Sequence, residues 1–169
     1  ITSRGMRVIA PDLVGLGLSD KPARISEHSL EMQVEKMLGL VKALKLEDMI
    51  IVGQDWGGPV IAGVASRIPE KIRAAVFANT AILLPKPPFS TKPFHTFSHM
   101  PIISDLVFRG LNFPVPILKR VQGNPESIGK LEQKAYHWPL RRIRDRAAPL
   151  AMARMVPNTP DHPSIPVLK

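Results

Sequence analysis

A chain of 169 residues, 44% apolar and without cysteine, is long enough to bury one substantial core and has no thiol for a disulfide or a metal site. Its apolar runs are too short to cross a bilayer, and no charged start with an apolar stretch and small-residue cleavage site marks a signal peptide. The cytoplasm is therefore the expected location. The formal charge of +9 raises nucleic acid as a partner, but the densest basic cluster, RRIRDR at 141–146, has little aromatic interleaving and no nucleic-acid motif around it. A solvated helix face is expected there, and no nucleic-acid or membrane partner.

In chain order, MRVIAPD (6–12) reads as a buried strand closed by Pro11 and Asp12, followed by the glycine-rich loop DLVGLGLSDKP. Leu30, Val34, Met37, Leu38, Val41 and Leu44 recur at helical spacing, with Ser29 placed to cap the helix. MIIVG (49–53) predicts a second strand, the segment from Gly57 to about Ile68 a second helix, and IRAAVFA (72–78) a third strand. The β-α-β-α-β order implies parallel strands with helices packed on the sheet. Beyond Asn79 the pattern changes. Residues 82–101 are proline-rich without a clear period, and helical patches follow near 102–110, 115–122, 125–136 (Asn124 as cap, Pro125 first) and 140–155, bent or restarted at Pro149. Helices alone after a parallel core predict a lid over a sheet edge.

The segment GQDWGG (53–58) lies between predicted strand and predicted helix. A small-x-nucleophile-x-small turn in that setting raises its central residue, here Asp55, above the C-terminal edge of the sheet. Gly53 and Gly57 are expected because side chains there would collide with the neighbouring helix or strand. A carboxylate at this point can displace a leaving group from saturated carbon, giving an ester that water then cleaves. Trp56 offers a backbone N–H and an indole N–H to the departing anion, and apolar walls would strip water from the nucleophile. The plainer reading makes Asp55 a helix N-cap and Trp56 a core residue.

Three stretches, VIAPDLVGLGLSDKP (8–22), GQDWGGPV (53–60) and VFANT (76–80), together make the chain resemble the α/β-hydrolase superfamily and, within it, the haloalkane dehalogenases. The resemblance implies an α/β-hydrolase fold fragment: a partial parallel sheet with helices on both faces plus a helical cap. Residues 1–81 would form the core, 82–163 the cap, and 164–169 the return to a further part of the core. It also implies Asp55 as nucleophile, Trp56 as first halide-stabilising residue, a small apolar halogenated substrate, no metal or organic cofactor, and a monomeric parent. Trp138 is the candidate cap residue facing the pocket, since some members take their second halide donor from a cap tryptophan. Phe108 and Phe113 are candidates for its apolar wall.

Epoxide hydrolases share the Asp-Trp pair but usually carry His before the Asp, where this chain has Gln54, and use two cap tyrosines where this chain has only Tyr136. A non-catalytic binding protein that keeps Asp55 for the turn, and a basic interaction module, are the readings outside enzymology. The family's His-Gly-x-Pro loop, catalytic His and acid partner have no counterpart here. Asn79 stands where one subgroup places the acid, and His28, His95, His99, His137 and His162 are expected at the surface or in packing. An inactive internal fragment is therefore expected. In the family's strand order the strand at 6–12 does not adjoin 49–53, so an empty slot should remain between them, leaving apolar groups exposed and the chain marginal.

Overall fold

The computed structural model describes residues 2–82 and 93–169. Its first half is a strand-helix-strand unit preceded by a helix. Helix α1 (Leu30–Ala43) begins where Ser29 accepts a hydrogen bond from the Met32 N–H at 3.0 Å. Strand β1 (Met49–Gln54), helix α2 (Gly57–Arg67) and strand β2 (Ile72–Ala78) follow, and β1 and β2 pair in parallel from Met49 opposite Ile72 to Gln54 opposite Ala78. Helix α2 packs on both strands and α1 packs on α2. The two helices approach closely at Gly63, where an added Cβ would lie 2.7 Å from a Val34 methyl. On β1 the alternation leaves Met49 and Ile51 half-buried while Ile50 and Val52 are exposed.

Residues 6–12 do not form the predicted strand, and Met6, Val8 and Ile9 remain exposed. The sequence supplies β-branched residues, but a strand exists only through its ladder, and the described sheet holds β1 and β2 alone. What fixes the segment's end is local. Asp12 accepts from the Leu18 N–H at 2.8 Å, and the Ser19 hydroxyl donates to the Asp12 carbonyl at 2.7 Å. The buried Gln33 amide of α1 then clasps the loop, donating to the Val14 carbonyl at 2.8 Å and accepting from the Val14 N–H at 3.1 Å.

The second half is helical. Part of the proline-rich segment, residues 83–92, lies outside the described residues; the rest of it contains α3 (Pro93–Ser98), a helix whose periodicity the prolines obscured. Next come α4 (Ile103–Asp105), running into a π-helical turn (Leu106–Gly110), then α5 (Leu118–Val121), α6 (Lys130–His137), α7 (Ala147–Arg154) and α8 (Ile165–Leu168). The predicted helix at 125–136 is divided. Asn124 caps a short 3-10 turn (Pro125–Ser127) by accepting from the Glu126 N–H at 3.0 Å, and α6 starts afresh after Gly129. The helix predicted at 140–155 restarts at Ala147 as α7, two residues before Pro149, which thereby sits in the first turn where its missing N–H costs nothing.

The two halves share one core. Leu30 of α1 and Val60 of α2 pack with Ala151, Met152 and Met155, while Phe108, Leu150 and Ala153 form a second cluster alongside. The basic run 141–146 is not wholly a solvated face. Arg146 is buried, and its guanidinium donates to the carbonyls of Leu140, Arg109, Gly110 and Arg141 at 2.6 to 3.0 Å. Its planar fork of donors matches a cluster of carbonyls at the ends of two helical turns, so the charge ties those turns to its own.

Candidate active site

The turn between β1 and α2 carries Asp55 with φ at +51°, a left-handed conformation that is uncommon for a residue with a side chain. The neighbours hold it there. The Asp55 carbonyl accepts from the Gly58 N–H at 3.0 Å and from the Thr80 hydroxyl at 2.5 Å, so the segment after β2 is bonded to the turn. A Cβ at Gly53 would lie 2.5 Å from the Gly57 carbonyl oxygen, and one at Gly58 would lie 2.1 Å from the Thr80 hydroxyl. Gly57, expected to collide, has open space instead. The steric demand falls one residue later, because Thr80 approaches the helix at its second residue. The carboxylate is oriented by its own neighbour, with the Trp56 N–H donating to Asp55 Oδ1 at 2.7 Å. At the start of the eleven-residue α2, the helix dipole favours the negative charge.

Asp55 and Trp56 open on a cavity of about 1200 Å³ between the two halves. Its apolar wall includes Phe94, Phe108, Leu118 and Met152. Phe108 is 1% exposed to solvent and Phe113 stands behind it, edge-on at 5.2 Å between ring centroids and outside the lining. Trp138 is not in this lining either. It is 61% exposed, with the Arg141 guanidinium 4.1 Å above its ring, and borders a neighbouring cavity. The expectation that it faces the Asp55 pocket is therefore corrected. Trp138 opens a tight turn (Trp138–Leu140) in which Leu140 takes the buried side, and the larger, amphipathic ring is left outside.

Five polar residues not singled out for the pocket do line it: Asp12, Asn79, Thr80, His95 and Tyr136. His95, expected at the surface or in packing, is half-buried on the cavity wall, edge-on to Phe94 at 5.3 Å, and its Nδ1 has no partner among the described residues. The Nε2 atoms of His28 and His162 are engaged with the carbonyls of Pro22 and Arg154, each at 2.9 Å, while Nδ1 of His28 also has no partner among the described residues. A signal for Tyr136 existed in the sequence. Ala135, Tyr136, Pro139 and Leu140 form a stripe at helical spacing, and all four line the cavity. Nothing comparable announced His95, whose helix is short and lies within the proline-rich segment. Among the described residues no cluster of three or more His, Asp or Glu is placed to hold a metal ion, and no helix is long and apolar enough to cross a membrane.

Comparison with known families gives a match to the family described as alpha/beta hydrolase fold over residues 2–102. The chain belongs to that family. This α/β-hydrolase-fold chain is 30% identical over 167 residues to a haloalkane dehalogenase of Mycolicibacterium paratuberculosis, covering 98% of the chain and 52% of that protein. It is also 30% identical over 104 residues to the bifunctional epoxide hydrolase 2 of Rattus norvegicus, a match covering 62% of the chain and 18% of that protein. Among solved structures it superposes on the haloalkane dehalogenase DatA from Agrobacterium tumefaciens C58 with a TM-score of 0.79 at 24% identity, over 93% of the chain and 54% of DatA. The α/β-hydrolase-fold chain thus spans about half the length of the haloalkane dehalogenases it matches.

Proposed function

We propose that Asp55 is the nucleophile of a hydrolase that cleaves carbon–halogen bonds through an alkyl-ester intermediate. The carrying observation is a carboxylate held at positive φ between strand and helix, opening on an apolar cavity. The Trp56 N–H holds Oδ1, which leaves Oδ2 as the attacking oxygen. Oδ2 attacks the saturated carbon, the C–O bond forms as the C–X bond breaks, and halide departs with the bonding pair. The Trp56 indole N–H stabilises that developing anion. Water then adds to the ester carbonyl carbon, the acyl C–O bond breaks, and alcohol leaves with the carboxylate regenerated. The sum is RX + H₂O → ROH + HX, which requires no metal or organic cofactor.

In this reading the turn at 53–58 is a nucleophile elbow, residues 1–81 belong to the core, and 82–163 form a cap whose α6 and α3 cover the cavity. The described histidines include no assigned base for the water step, so the chain by itself should stop at the ester. Incubation with 1-bromohexane followed by peptide mass spectrometry should show one hexyl group on Asp55, and none in Asp55→Asn. An unmodified Asp55 peptide from the folded chain would sink the proposal.

Tyr136 and His95 favour a second reading. Both border the Asp55 cavity, and a hydroxyl and an imidazole N–H there could donate to an epoxide oxygen as the ring opens. The bifunctional epoxide hydrolases among the relatives point the same way. Faster labelling of Asp55 by 1,2-epoxyhexane than by 1-bromohexane, lost in Tyr136→Phe, would place this reading first.

A further inference from the structure

A second cavity adjoins the first, and the two share Asp12, Gly17, Val115, Ala135 and Pro139 as common wall. Its chemistry differs from that of the Asp55 cavity. Lys130, Gln133, Lys134 and His137 recur at one-turn spacing along α6 and line it as a single stripe, and Lys119 lines it from α5. The lone acid in the lining, Asp12, is already committed to the loop, where it accepts from the Leu18 N–H. The one acid of α6, Glu132, is outside the lining; a Cβ on Gly129 would lie 2.8 Å from its Oε2. Among the described residues none of the three lysines forms an ion pair. Lysines four apart on a helix repel one another when no anion lies between them. The same cavity presents Leu18, Leu131 and Trp138 as exposed apolar surface.

We infer that this lysine-lined cavity is an anion subsite, taking the carboxylate head of an amphipathic molecule whose apolar end lies in the Asp55 cavity. The ammonium groups attract the head from solution, and the adjoining cavities place head and apolar end side by side, one chain of carbons passing the shared residues. As a statement about substrate it rests on Asp55 being the reacting group. The substrate class it adds is a halogenated carboxylate with the halogen distant from the acid, rather than a neutral haloalkane.

Calorimetric titration of the 169-residue chain with octanoate and with 1-octanol at low salt tests it. Octanoate should bind about tenfold more tightly, the increment expected from a few exposed charge contacts. The combined substitution Lys119→Gln, Lys130→Gln and Lys134→Gln should bring octanoate down to the affinity of octanol and leave octanol unchanged. About 1 M salt should erase the preference in the unsubstituted chain by screening. Octanoate should also protect Asp55 from alkylation by 1-bromohexane, because their tails compete. Equal affinity for the two ligands, a preference that survives the triple substitution, or absence of protection while both bind would each overturn the inference. The failures are distinguishable: Asp55 alkylated without any octanoate preference removes only the anion subsite. An octanoate preference with Asp55 unreactive removes the nucleophile and leaves the subsite standing.

Discussion

At Asp55 a single residue carries both strain and chemistry. Positive φ is retained because Gly53 and Gly58 leave room for the helix and for Thr80, and because two donors converge on the Asp55 carbonyl. Gly53→Ala should therefore cost about 1–3 kcal/mol, since its methyl meets backbone that cannot rotate away. Gly57→Ala should stay within about 0.5 kcal/mol, as its methyl meets nothing. Urea unfolding of the two variants checks this, and equal costs would contradict the placement of the turn. In the proposed chemistry Trp56→Phe keeps the ring and loses the indole donor. Alkylation of Asp55 by 1-bromohexane should slow by about 10²-fold, the scale for removing one donor from a developing anion. An unchanged labelling rate would take the indole out of the mechanism.

Between elements, the polar links set where the loops lie. Gln33 of α1 satisfies both backbone groups of Val14. Gln33→Leu leaves those groups unpaired in a half-buried site, which should cost about 1–3 kcal/mol and raise hydrogen exchange across 13–19. Ahead of β1, Asp48 is bonded by Arg73 of β2, with Arg73 Nε 2.6 Å from Asp48 Oδ1. That hydrogen bond, aided by the charge of Arg73, holds the Asp48 carboxyl below the ordinary carboxylate range. A depressed folded-state value means stability is present above the unfolded value, about 3.9, and is lost as pH falls through the folded one. Both groups are exposed, so the effect is small. Arg73→Gln should return Asp48 to the ordinary range in an NMR titration, and the stability difference from the parent should vanish at pH values below the folded one.

Over the whole molecule, the sheet is the weak layer. Every residue of β2 after Ile72 is exposed, Ile50, Val52 and Val76 show apolar side chains to solvent, and Met6, Val8 and Ile9 are exposed as well. Among the described residues the two-stranded ladder has two free edges, an arrangement that favours edge-to-edge association. The isolated chain should bind anilinonaphthalene sulfonate and associate with rising concentration. A monomeric, cooperative unfolding transition independent of concentration would contradict this.

The sequence by itself determined what depends on neighbours along the chain. The Ser29 cap, the periods of α1 and α2, the parallel order around them and the turn at Asp55 all follow from local spacing and from glycine's freedom. The tertiary structure decided what depends on a partner distant in sequence. Residues 6–12 have strand composition and no strand, because ladder bonds need an adjacent chain that β1 and β2 do not provide. Arg146 belongs to a basic run yet is buried, because carbonyls from two other turns converge on it. Trp138 faces solvent, and His95 and Tyr136 reach the cavity, because packing against neighbouring helices and turns selects which side of each short helix turns inward. Helices of one or two turns carry too few residues for a period to settle that choice, so contact with the rest of the fold settles it.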